Sequence, residues 1–197
     1  MKKLFFNPFE KNSETRLFVF GLLLTVAGSY LGYVFNGRFD GVVDLHFIKN
    51  TTLAQPFIDN LINIVSLFVM LFVAGKLINT KTRVIDILNP ILISRVPFYL
   101  LTFFNFRNYI SDVSASIIEK INPKAMPADL DLTPFSMILL MLFAMISILF
   151  LIWFVVLLYN GFKIATNCKT SMHKLYFALS IIAAEIISKI LISLLNY

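Results

Sequence analysis

Two carboxylates and an imidazole, Asp40, Asp44 and His46, fall within seven residues in Phe39-Asp-Gly-Val-Val-Asp-Leu-His-Phe47. Such groups are ordinary ligands for a divalent cation. Their spacing matches no established metal motif, and a solvated turn followed by a half-buried amphipathic stretch accounts for it as well, so no metal is expected. The other histidine, His173, stands far away in a Lys-flanked segment. The chain has no G-x-S-x-G, no H-E-x-x-H and no other catalytic or cofactor-binding signature. A non-enzymatic protein without a cofactor is expected. Cys168 is the sole cysteine, which excludes an intramolecular disulfide. It reads either as a small polarizable packing residue or as an acylation site beside a membrane surface.

Three ionisable residues carry a more specific signal because they interrupt long apolar stretches: Arg95, Glu185 and Lys189. At the centre of a membrane span each costs ~2.5–3.5 kcal/mol on insertion scales unless paired or hydrated. Glu185 and Lys189 are four residues apart with the acid first, the favourable order for a pair on one helix. Arg95 is expected to meet Glu185 at a common depth, with carbonyls freed by Pro90 and Pro97 as further acceptors. The alternatives are a charge cluster that fixes helix packing and a path for a substrate, proton or ion. Gly21, Gly28 and Gly32, with Thr25 and Ser29 between them, form a stripe of small residues that admits close approach of another backbone. That backbone belongs either to this chain or to a second copy across a dimer seam.

These residues require membrane-spanning elements to position them. From Leu132 to Phe162 no Asp, Glu, Lys or Arg occurs, and about 20 residues already cross the ~30 Å hydrocarbon core. The whole chain of 197 residues is 58% hydrophobic with only 14% charged residues, too apolar for an ordinary soluble domain. The expected fold is all-α: a polytopic bundle of five transmembrane helices at about 17–36, 60–78, 84–106, 135–159 and 175–195. Residues 1–16 form a short head and 17–197 a single membrane domain. The third span, with Pro90, Arg95 and Pro97, should be bent or partly unwound. A six-span alternative would add a crossing at 98–118 at the cost of admitting Arg107 and Asp112. Met1-Lys2-Lys3 is followed by too short an apolar run for a signal peptide.

Basic residues favour the cytoplasmic side of short connections. Lys2, Lys3, Lys11, Arg16, Lys76, Lys81, Arg83, Lys163, Lys169 and Lys174 fall on the face of the N-terminus, against Arg38, Lys49, Arg107, Lys120 and Lys124 on the other. The N-terminus is therefore expected in the cytoplasm and the C-terminus outside. The dispersal of the basic residues, which account for a net charge of +6, argues against nucleic acid as a partner. The expected partners are the lipid bilayer and a membrane protein or a second copy of the chain. The longer, more acidic connections of the opposite face offer a ligand-facing surface. There, Asp112 to Glu119 could form an interfacial helix, followed by Asn122-Pro123, Met126-Pro127 and Thr133-Pro134.

The head Phe6-Asn-Pro-Phe-Glu10, the polar turn Asn79-Thr-Lys-Thr-Arg-Val-Ile-Asp86 leading to Ile93-Ser-Arg-Val-Pro97, and the basic link from Tyr159-Asn-Gly-Phe-Lys163 to His173-Lys-Leu175 resemble the Yip-domain family, the Ypt-interacting multi-spanning membrane proteins, in its short bacterial type. The resemblance runs over most of the chain and implies a multi-spanning fold in a bacterial inner membrane more than a mechanism; the function expected is that of a non-enzymatic membrane organiser or interaction protein. The long hydrophilic head and Asp-Leu-Tyr-Gly-Pro motif of the eukaryotic relatives are missing, so GTPase binding is not carried over. The competing class is a small transporter component or substrate-binding membrane subunit.

Overall fold

A computed structural model describes residues 5–121 and 133–195. The expected Asn122-Pro123 and Met126-Pro127 turns, with Lys2, Lys3, Lys124, Asp129 and Asp131, lie outside the described residues, as do the side chains of Glu119 and Lys120. The chain folds into α1 (Glu14–Val34), β1 (Gly37–Arg38), β2 (His46–Phe47), α2 (Ala54–Ile78), α3 (Val84–Ser94), α4 (Val96–Leu101), α5 (Tyr109–Ile121), α6 (Pro134–Thr166) and α7 (Ser171–Leu194). A 3-10 turn at Pro8–Glu10 precedes α1 and another, Thr102–Asn108, links α4 to α5. Among the described residues, five stretches are long and apolar enough to cross a membrane, with Val84–Ile117, which runs from α3 into α5, counted as one. The fold of the described residues is all-α apart from the two-residue strands.

The helix ends follow from local chemistry. Thr133 and Thr170 cap α6 and α7, their hydroxyls accepting from Ser136 N–H and His173 N–H at 3.2 and 3.3 Å. Pro134 occupies the first turn of α6, where its missing N–H costs nothing. Asn36 and Asn167 leave α1 and α6 in the left-handed region, which asparagine tolerates better than most residues. At the start of α3, Arg83 N–H donates to Asp86 Oδ2 at 2.9 Å.

Contacts sort the connections into two ends. At the head end Arg83 pairs with Glu14, Thr82 reaches the Ala165 carbonyl, and Asn160 Nδ2 donates to the Phe6 carbonyl. At the loop end Asn36 meets Asn108, Lys49 pairs with Asp112, and the Tyr109 and Ser136 hydroxyls touch at 3.0 Å. The most buried element is α3–α4, packed between α1 and α6, while α2 lies along α7. Leu67, Ile87, Ile91, Phe98, Phe154 and Phe162 form the apolar centre.

The third crossing is irregular, as its proline and charged residues predict, in the middle and at its end. Pro90 sits inside an unbroken α3, and the bend falls at Arg95, just before Val96-Pro97. Pro97 has no N–H to donate to the Ile93 carbonyl and its ring crowds that carbonyl, so the helix is interrupted just ahead of it. The third crossing then ends at Phe106, Arg107 and Asn108: Phe106 is extended and the other two have φ of 55° and 61°. Asn105 stabilises this reversal, donating to the Phe35 carbonyl at the end of α1 and accepting from Ser111 N–H at the start of α5. One side chain thereby satisfies the exposed ends of two helices.

The connection after α1 is the largest correction. It is no solvated turn: Phe39 and Val42 are 0% exposed. β1 pairs antiparallel with β2, Gly37 opposite Phe47 and Arg38 opposite His46, and the residues between them fold inward among the helices. Non-helical backbone at membrane depth survives only where protein covers it. Here α2, α4 and α7 supply that cover. The second crossing also begins earlier than its apolar run, since α2 carries Asp59, Asn60 and Asn63 buried on its inner face.

Candidate functional site: a charge network closed by one peptide group

The inward loop brings the ionisable residues together. Arg95 is wholly buried and lies eleven residues into the third crossing, ~16 Å along an ideal helix. Its Nε and Nη2 donate to Asn60 Oδ1 at 3.1 and 2.9 Å, and its Nη1 donates to the Val42 carbonyl at 2.9 Å. The rings of Phe39 and Phe98 each lie 5.6 Å from the guanidinium carbon, close enough for cation–π attraction in a desolvated setting. Asn60 Nδ2 in turn donates to the Ser29 hydroxyl at 2.9 Å, tying α1 to the cluster.

Glu185 approaches the same loop from the other side. Its Oε2 accepts from Val43 N–H at 2.9 Å, and Oε1 lies 3.2 Å from Lys189 Nζ. The Val42 carbonyl and the Val43 N–H belong to one peptide group. That group stands between guanidinium and carboxylate, its oxygen toward the cation and its hydrogen toward the anion, so each charge meets the complementary end of the peptide dipole. The expected direct ion pair between Arg95 and Glu185 does not form, because the loop occupies the space between them. The carbonyls expected from the proline bend are likewise replaced by Asn60 and Val42. Gly41 makes the fit possible: a Cβ there would come within 2.6 Å of Glu185 Oε1.

A second layer of charge holds the loop. Arg38 Nε and Nη2 contact the Asp59 carboxylate at 2.6 and 3.0 Å, and both residues are buried. Asp59 Oδ2 also accepts from Phe39 N–H, and Asn63 Nδ2 donates to the Phe39 carbonyl at 2.7 Å. A charge pair this enclosed requires such extra hydrogen bonds to offset desolvation. Asp44 pairs with Lys189 at 2.8 Å, and His46 Nδ1 lies 3.0 Å from Asp40 Oδ2. The Asp40 carboxyl is held above the ordinary range, chiefly by burial, with His46 and Arg38 opposing that shift and Asp59 and Asp44 adding to it. Among the described residues, His, Cys, Asp and Glu form no group of three or more suited to a metal ion.

The small-residue stripe packs within this chain. A Cβ on Gly28 would lie 2.1 Å from the Tyr99 ring, one on Gly21 2.7 Å from Leu92 Cβ, and one on Gly32 2.9 Å from Phe39 and Pro56. Cys168 is buried, 1% exposed, and so is covered from acylating reagents. His173 and His46 lie at opposite ends of the bundle and share no site. Sequence reasoning overlooked the Arg38–Asp59 pair and Asn60. The signal available was the run of Asp59, Asn60 and Asn63 at helical spacing, which demanded inward partners once α2 was allowed to start early.

Two buried polar atoms are left over on α2: Asn63 Oδ1 and Ser66 Oγ make no hydrogen bond. They lie one turn apart, on the helix that packs along α7. Compared with known proteins, the chain matches no protein-family model, no curated protein and no solved structure.

Proposed function

We propose that this protein is a non-enzymatic membrane organiser that works through contacts with lipid and with other membrane proteins. In this reading, which accords with the Yip-like resemblance, its head end faces the cytoplasm of a bacterial inner membrane. The observation that carries it is that the most deeply buried charges, Arg95 and Asp59, are met wholly by protein groups. Glu185, half-buried, binds the Val43 N–H, while Lys189 pairs with Asp44 at the exposed edge of the network, and the groove of about 870 Å³ lies on the flank of α1 instead of opening onto these residues. Groups kept for transport or catalysis need access to a moving ligand or proton, and these are spent on holding a loop.

One observation favours a transporter component: the unpartnered Asn63 Oδ1 and Ser66 Oγ extend the polar interior along α2. Proteoliposomes separate the two readings. The organiser is expected to leave proton, sodium and potassium permeability unchanged, in wild type and Glu185→Gln alike. It should also show no rise in melting temperature with any member of a vitamin or ion library. A flux, or a ligand-dependent rise, that Asn63→Ala or Glu185→Gln abolishes would establish the transporter. Photo-crosslinking in native membranes from Met141, Met145 and Ile148, exposed along α6, is expected to trap one reproducible membrane-protein neighbour.

A further inference from the structure

On the flank of the bundle, away from the charge network, α1, α3–α4 and α6 leave a groove of about 870 Å³. Its floor is formed by Leu17, Ile93 and Leu157, all buried, and its rim by Phe20 and Leu23, which are 57% and 63% exposed. Phe5 and Trp153 wall one side, joined by the hydrogen bond from Trp153 Nε1 to the Phe5 carbonyl at 2.9 Å. The lining is apolar except at the head end, where Asn12, Thr15 and Arg16 gather. Arg16 is exposed and has no ion pair or hydrogen bond among the described residues. Its acidic neighbour Glu14 is already paired with Arg83.

We propose that this groove is a binding site for one anionic phospholipid, of the phosphatidylglycerol kind, drawn from the leaflet on the head side. The distribution of polarity selects that occupant. From Arg16 to Leu24 the groove runs eight residues along α1, ~12 Å of helix, with cationic and hydrogen-bonding groups at the interfacial end and hydrocarbon below. A phosphate beside Arg16 also lies at the first turn of α1, where the helix dipole favours negative charge. An acyl chain then descends between Leu24, Val96 and Leu157. A second protein helix laid in the groove would have to carry an acidic side chain at the level of Arg16, whereas every anionic phospholipid brings its charge to that depth and a zwitterionic lipid brings a cation of its own. The assignment is independent of whether the chain organises membranes or assists transport.

The chain has a single tryptophan, and it lines the groove, so no added label is needed. In nanodiscs of mixed phosphatidylcholine and phosphatidylglycerol, one lipid at a time carries bromine on its acyl chains at a fixed small fraction. Brominated phosphatidylglycerol is expected to occupy the site beside Trp153 with about five-fold preference, the equivalent of ~1 kcal/mol for one basic residue near anionic lipid. Unbrominated phosphatidylglycerol should relieve this quenching better than phosphatidylcholine. Arg16→Gln should erase the preference, and Arg16→Lys should keep it. Equal quenching by the two lipids in the wild type would overturn the proposal, as would a preference that survives Arg16→Gln, or a Trp153 that neither lipid quenches because another protein segment covers it.

Discussion

Arg95 is the residue on which the interior turns, and its replacement tests how its charge is met. Arg95→Gln removes three donated hydrogen bonds and strands two neutral acceptors, Asn60 Oδ1 and the Val42 carbonyl, so a loss of about 2–5 kcal/mol is expected in detergent unfolding. Because a peptide group separates Arg95 from Glu185, the double variant with Glu185→Gln should recover only about 1 kcal/mol of the summed losses. Near-complete rescue would mean the two charges meet directly. Gly41→Ala should cost about 1–3 kcal/mol by driving a methyl against the Glu185 carboxylate, and much less in a Glu185→Ala background. Asp40 gives the pH test. Its pKa is raised in the fold, so ionisation costs more in the folded than in the unfolded chain. Stability from this residue is fullest below about pH 3.9, the ordinary aspartate value, and is lost as pH rises through the raised pKa. Asp40→Asn should therefore be more favourable relative to wild type at pH 8 than at pH 4. A gap between the two melting temperatures that stays constant over that range would refute the assignment.

At the scale of elements, what could be read in advance depended on length. The apolar runs of α1, α2, α6 and α7 are long enough that no soluble alternative competes. The charged and proline residues of α3 and α4 announced irregularity there. The inward loop was hidden because Asp40, Asp44 and His46 suggest solvent, while the apolar Phe39, Val42 and Val43 beside them are too few for a periodic signal. Arg95 and Asn60 are thirty-five residues apart, and no local rule joins them. The small residues on α1 announce close approach and favour packing inside the chain over a dimer seam, but no local rule names Leu92, Tyr99 and Phe39 as the partners. Since Gly28 faces Tyr99, Gly28→Val should lower monomer stability by about 1–3 kcal/mol through overpacking, without changing oligomer size in gel filtration. A changed oligomer with unaltered stability would restore the dimer seam.

For the whole molecule, orientation in the membrane can be checked with the sole cysteine removed. In a Cys168→Ser background, Lys11→Cys should label only from the cytoplasmic side and Lys49→Cys only from the opposite side. Labelling of both from one side would eliminate the odd number of crossings between the head end and the loop end. The length of α6 bears on the same picture. Its thirty-three residues would span ~50 Å if straight, well beyond a ~30 Å core. Part of the excess is used at the head end, where Gly161 lies so close to Pro90 that a Cβ would come within 2.4 Å of the ring.

The peptide held between Arg95 and Glu185 also sets a timetable for biogenesis. Asn60 and Val42 emerge before Arg95, so the guanidinium meets two of its acceptors as soon as the third crossing enters the membrane. Glu185 emerges about 90 residues later, roughly 5–20 s at ordinary elongation rates. During that interval the Val43 N–H has no carboxylate to receive it, and Arg38, Asp59 and Asn63 must keep the loop inside on their own. The loop is latched by α7, which is made after every other described helix.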